Sequence, residues 1–184
     1  MDEKKRFIIF FIVLLFIIGW SFFVYQIGPE QLVERIGVHN GYLLAFLVTL
    51  FGGSSTFTSL AHVTTVSTLA LGGLSPFILA LVGGVGLFLG DSVYFYLGHR
   101  GRKVVSDNKY VNMFVKWINK LPHWSVGIVV YVYFSSFMPN DFMLILFGLG
   151  KYSYKKLVIP LLLGDITFIF LVAYLAAQGI KLFN

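Results

Sequence analysis

Apolar residues occupy this chain in long blocks, without the alternation of a strand or the one-sided stripe of a soluble helix, and few polar positions interrupt them. A helix needs about 20 apolar residues to cross a hydrocarbon core of ~30 Å, so block length is the first guide to architecture. Residues 7–27 form a charge-free block of 21. It lacks the short apolar region and small-residue cleavage site of a secretory signal, and it is predicted to span. Residues 75–98 and 157–178 are two more spans, each broken by one aspartate, Asp91 and Asp165. Two blocks fit less simply. Residues 42–73 are too long for one crossing and carry a hydroxyl-rich middle, "GGSSTFTSLAHVTTVST"; residues 126–150 hold "SSFMPND" in an otherwise oily run.

Basic residues decide how these two blocks lie. Three (Lys4, Lys5, Arg6) precede the first span, six lie between His99 and Ser125, and three more (Lys151, Lys155, Lys156) lie in "GKYSYKK". Short cytoplasmic loops are rich in Lys and Arg, and all three clusters share one side only if each ambiguous block crosses an even number of times. Both are therefore predicted as re-entrant hairpins or pairs of short helices, the arms of 126–150 having ~12 residues or ~18 Å each and stopping near the midplane. Irregular backbone at that depth must be buried in protein or face a water-filled cavity. Pro139 is expected to stop the incoming arm, and Asn140 and Asp141 to cap the outgoing one.

The blocks also repeat. "LFLGDSVYFYL" (87–97) and "LLLGDITFIFL" (161–171) share one frame, and each follows a hairpin whose exit reads "LGGLS" (71–75) or "LFGLG" (146–150). Entering from opposite faces, the two units form an inverted repeat, in which a binding site is expected near the midplane between the halves. The fold expected is thus an all-α polytopic membrane protein, with an inverted repeat of re-entrant hairpin plus transmembrane helix and an extra N-terminal transmembrane helix. Its parts are the N-terminal helix (1–28), an extracytoplasmic interfacial segment (29–41), a first repeat (42–98, re-entrant 42–73 and spanning 75–98), a cytoplasmic amphipathic loop (99–125), a second repeat (126–178, re-entrant 126–150 and spanning 157–178) and a tail (179–184). Within the loop, Val111, Phe114, Val115 and Ile118 give an apolar face, so a surface-lying helix is expected after caps at Ser106 and Asp107.

Composition narrows the chemistry. The chain of 184 residues is 58% hydrophobic, has a mean hydropathy of +0.84 and contains no cysteine, which removes disulfide and thiol chemistry. Its net charge of +6 sits in loops that set membrane orientation, and no soluble domain exists to form a nucleic-acid groove. G-x-S-x-G, H-E-x-x-H and paired histidines are absent, so neither an enzyme nor a metal site is expected. A carboxylate near the bilayer centre costs ~2.5–3.5 kcal/mol on insertion scales, which makes Asp91, Asp165 and Asp141 the candidate transport groups. Asp91 and Asp165 are expected on opposing helices at different depths, unlike an aspartyl dyad. Gly90 and Gly164 read as close-approach positions between helices. His62 reads as a hydrogen-bonded packing residue, with proton relay as the lesser option.

"GDSVYFYLGHRG" resembles the G-D-x-x-x-(aromatic)-x-x-G-(R/K) signature of the DedA family, also called the VTT-domain or SNARE-associated Golgi protein superfamily. Gly90, Asp91, Phe95, Gly98 and the basic pair His99–Arg100 fill its slots, and "FGLGKYSYKKLVIPLLLG", with Gly148 and Lys151, is similar to a second family run. The resemblance covers residues 42–178. Bacterial members usually carry an R-F-x-P…R element where this chain has "SFMPND", with Ser136 in the first arginine's place. A bidentate guanidinium clamp on phosphate cannot be rebuilt from serine and asparagine. The tip is closer to the P-N-P of the vacuole membrane protein branch, whose eukaryotic members are similar to phospholipid scramblases.

The resemblance implies lipid translocation, as a scramblase or flippase-like carrier of phospholipid or polyprenyl-lipid head groups. The alternative is a proton- or sodium-coupled secondary transporter of a small solute. Asp91, Asp165, Asp141, Asn140, Pro139 and Ser136 are the transport candidates, joined by the hydroxyls of Ser54, Ser55, Thr58, Ser59, Thr64, Thr65 and Ser67 in a polar seam. Arg100, Lys151, Lys155 and Lys156 are the head-group contacts; Gly90, Gly98, Gly148 and Gly164 are structural. No cofactor is expected. The partners are membrane lipids, not nucleic acid, with homo-oligomerisation left open. The expected location is the plasma membrane of a prokaryote, N-terminus cytoplasmic.

Overall fold

The computed structural model describes residues 28–52, 56–105, 109–138 and 140–183, together with Leu15, Ile18, Gly19, Phe22 and Gln26. Those five are helical, but the spanning helix expected over 7–27 otherwise lies outside the described residues. The rest form helices α1 (Pro29–Ile36), α2 (Val38–Gly52), α3 (Thr56–Leu71), α4 (Pro76–Val105), α5 (Lys109–Lys120), α6 (His123–Phe134), α7 (Asn140–Leu149) and α8 (Tyr154–Phe183). Two segments, Pro76–Gly101 of α4 and Tyr154–Gly179 of α8, are long and apolar enough to cross a membrane.

The short helices come in two pairs. α2 and α3 have 15 and 16 residues, about 22 and 24 Å; α6 and α7 have 12 and 10, about 18 and 15 Å. Each is shorter than the ~30 Å hydrocarbon core. α3 and α7 end in the same backbone device. At α3, Gly73 takes a left-handed φ of 91°, and Gly73 and Leu74 donate N–H bonds to the carbonyls of Ala70 and Leu69. At α7, Lys151 takes φ 57°, and Lys151 and Tyr152 donate to Gly148 and Phe147. These are Schellman caps, which satisfy orphan carbonyls and turn the chain sharply into the next helix. Glycine takes that φ without strain; Lys151 holds it with a side chain.

Packing pairs the helices crosswise. α2 lies on α4 and α6 on α8, whereas α3 lies on α8 and α7 on α4. α4 and α8 are antiparallel: a Cβ on Gly83 would meet Ile169 and one on Gly84 would meet Ile166, while Tyr154 contacts Ser92 and Phe95 farther along α4. Two apolar cores result. One joins Leu69, Leu79, Leu87, Phe168, Ile169 and Val172; the other joins Phe95, Val130, Phe134, Phe147, Leu157 and Leu161.

Several expectations change. The incoming arm α6 ends at Phe134, five residues before Pro139, where Ser135 and Ser136 hydroxyls donate to the carbonyls of Tyr131 and Tyr133 and close the last turn. Pro139 therefore does not stop that arm, and it lies outside the described residues. α4 runs on past Gly98 to Val105. α5 does not lie free on the surface: Val111 and Ile118 are buried, and Phe114 meets Phe147 of α7 edge-on at 5.3 Å. Its expected caps, Ser106 and Asp107, lie outside the described residues.

Candidate functional site

Asp91 and Asp165 sit on the border between the two cores. Along α4, Asp91 separates Leu87 of one core from Phe95 of the other; along α8, Asp165 separates Leu161 from Phe168. Asp91 is 1% exposed and Asp165 0%. The two carboxyl groups lie within electrostatic range across the α4–α8 contact. Neither oxygen of Asp165 has a hydrogen-bond partner among the described residues. An unbonded polar group in an apolar interior is among the most costly things a fold can retain.

Small residues make the site possible by letting neighbouring backbones close in. A Cβ on Gly90 would fall 2.5 Å from the Leu50 carbonyl oxygen of α2, and one on Gly164 would fall 2.7 Å from the Phe134 Cβ of α6. Each glycine thus brings its long helix onto the first short helix of the preceding pair. Gly98 and Gly148 face one another's helices, Gly98 against the Ile145 carbonyl and Gly148 against the Phe95 carbonyl and His99 nitrogen. The aspartates stand at different distances from the turns that precede their helices. Asp91 stands 18 residues beyond its Schellman residue Gly73 and Asp165 only 14 beyond Lys151, a difference of one turn, or about 6 Å.

The other expected residues divide around this pair. Asp141, half-buried at the start of α7, has Tyr133 as its electrostatic neighbour. The Asn140 side chain lies outside the described residues, and Ser136 spends its hydroxyl on α6. Of the polar seam, Thr64 back-bonds to the Leu60 carbonyl on its own helix, as its neighbour Thr68 does to Thr64, while Thr65 and Ser67 are half-buried. Ser54 and Ser55, and the side chains of Thr58 and Ser59, lie outside the described residues. His62 is buried as a packing residue. Its ring lies against the Gly52 backbone and edge-on to Phe168 at 6.0 Å. Arg100, Lys151, Lys155 and Lys156 are exposed. Among the described residues, no group of three or more His, Asp or Glu side chains is arranged to hold a metal ion.

Two contacts escaped the sequence reading. Ser92, next to Asp91, hydrogen-bonds the Tyr154 hydroxyl, and that ring packs on Phe95 and Tyr96 at 5.0 and 5.2 Å. Tyr131 of α6 bonds Thr167 of α8 at 3.3 Å. Both join residues at least 36 positions apart, and only the crosswise packing brings them together.

The family model described as the VTT domain covers residues 61–178, from the first turns of α3 to the end of the apolar part of α8. No curated protein and no solved structure matches. The matched region holds α4, α6, α7 and both aspartates and amounts to more than half of the chain, which makes this integral membrane protein a member of the VTT-domain family, also known as the DedA or SNARE-associated Golgi family.

Proposed function

We propose that this protein translocates lipid head groups across the bilayer, as a scramblase or flippase-like carrier. The observation that carries the reading is the carboxylate pair at the border of two apolar cores: Asp91 and Asp165 are buried in lipid-soluble surroundings where packing alone would place leucines. On this reading the two short-helix pairs are re-entrant hairpins in an inverted repeat. The crosswise, antiparallel arrangement of α4 and α8 supports it, since such repeats bind substrate at the interface between halves. Relative movement of the two cores would open the polar border to a head group while acyl tails stay in lipid. Asp141, at the start of α7, is the entry carboxylate from the second hairpin. Arg100, Lys151, Lys155 and Lys156 gather anionic head groups at the basic face. That face is cytoplasmic, in the plasma membrane of a prokaryote.

A second reading has its own observation. Asp165, with no hydrogen-bond partner among the described residues, suits a group that binds and releases a proton or sodium ion during a transport cycle. This would make the protein a coupled secondary transporter of a small solute. Vesicles reconstituted with the purified chain and a fluorescent phospholipid test both, with and without a proton gradient. Lipid movement independent of the gradient is expected. No movement under either condition sinks translocation, and gradient-driven solute uptake in the same vesicles would install the coupled transporter in its place.

A further inference from the structure

An elongated groove of about 590 Å³ lies between α6 and α8. Gly127, Ile128, Ile159 and Leu163 line its length, and Trp124, Lys155 and Lys156 stand at one end. The helices run parallel here, because Trp124 and Lys155 share that end while Tyr131 and Thr167 bond farther along. Leu163, the last lining residue on α8, lies eight residues beyond Lys155, about 12 Å of helix. That stays within the ~15 Å of one leaflet of a ~30 Å hydrocarbon core. The groove therefore begins at a charged rim with an exposed tryptophan and ends inside one leaflet, at Tyr131 and Leu163. A transmembrane helix from a second copy would run twice that length and would need no cations at its end.

We infer that this groove seats one acyl chain of an anionic phospholipid, whose head group is held by Lys155 and Lys156. Lysine pairs between helices on a basic face recognise such head groups as point charges, and tryptophan sits at head-group level. The inference takes up the head-group role of Lys155 and Lys156 and holds whether or not lipid crosses the bilayer. The seat is distinct from the carboxylate pair, since Asp165 is wholly buried within the helical body while Leu163 and Ile159 of the same helix are exposed.

Gly127 offers a clean test, because a Cβ built there meets no atom within 4 Å. Gly127→Leu fills the groove without displacing protein, and Ile128→Trp fills it from the exposed wall should the first variant fold poorly. The measurement is native mass spectrometry of the full chain in detergent, titrated with phosphatidylglycerol or phosphatidylcholine. The parent should retain one phosphatidylglycerol with a preference of about 10–30-fold over phosphatidylcholine, as expected for surface attraction by two lysines. Groove-filling variants should lose retention of both lipids, while Lys155→Gln with Lys156→Gln should lose only the preference. Undiminished retention by folded Gly127→Leu or Ile128→Trp overturns the inference. So does equal retention of the two lipids by the parent, or a parent dimer that the filling variants dissociate. Retained lipid with no movement in vesicles leaves the seat standing and removes translocation; movement without retention does the reverse.

Discussion

Exchanging the Asp165 carboxylate for an amide separates what that residue does for transport from what it costs the fold. Asp165 is fully buried without a hydrogen-bond partner among the described residues, so Asp165→Asn replaces an ionisable carboxyl with an amide of the same shape and breaks no bond recorded there. Thermal stability should hold or rise, on the order of 1 kcal/mol, because groups kept at functional sites against local energetics are stabilising to remove. Translocation should slow at least about tenfold, equal to about 1.4 kcal/mol on the crossing barrier. A melting curve and a vesicle assay on one preparation check both, and loss of folding with unchanged specific transport would contradict the pair. Asp91→Asn should slow transport similarly. At Gly148 the expectation is the opposite. Its absent side chain lets α7 meet the backbone of α4 at Phe95 and His99, so Gly148→Ala forces two rigid backbones apart. It should cost about 1–3 kcal/mol of stability. Gly98→Ala acts at the same crossing, and the double variant should cost less than the sum of the single ones.

Among the elements, α4 and α8 were legible from block length, and the short helix pairs from blocks too long or too polar in the middle for one crossing, while their ends were not. Pro139 pointed to the wrong stop for α6, because Ser135 and Ser136 close that helix earlier by bonding its last carbonyls. Such local bonds compete with helix continuation and depend on rotamer, which residue type alone does not reveal. The glycine–aspartate frame correctly pointed to two buried carboxylates yet hid the one-turn difference between their helices, since a shared motif carries no information about where each helix begins. Ser92–Tyr154 and Tyr131–Thr167 were invisible for the same reason: each needs the packing partner known first. One consequence concerns the end of α6. Replacing both Ser135 and Ser136 with alanine removes two carbonyl contacts and should destabilise by about 1–3 kcal/mol, at 0.5–1.5 per bond, while leaving the melting cooperative. Loss of lipid movement with intact stability would instead make these hydroxyls part of the path.

For the molecule as a whole, sidedness is the expectation with the widest reach. The chain has no cysteine, so single cysteines report cleanly. Replacements at Lys116 and Lys155 should label with an impermeant maleimide from one face, and a replacement at Glu34 from the other. Labelling of Lys116→Cys and Lys155→Cys from opposite faces would turn the α6–α7 pair into a crossing and dissolve the inverted repeat. The crosswise packing also has a consequence for how the protein is made. α3 rests on α8, and 82 residues separate Leu71 from Tyr154. At a synthesis rate of ~5–20 residues per second, α3 leaves the ribosome roughly 4–17 s before its partner exists. For that interval α3 has only α1, α2 and α4 to rest on, and the face that will meet α8 depends on the insertion machinery to shield it. Nascent chains stalled before residue 154 should therefore stay bound to that machinery, and release should come only as α8 emerges.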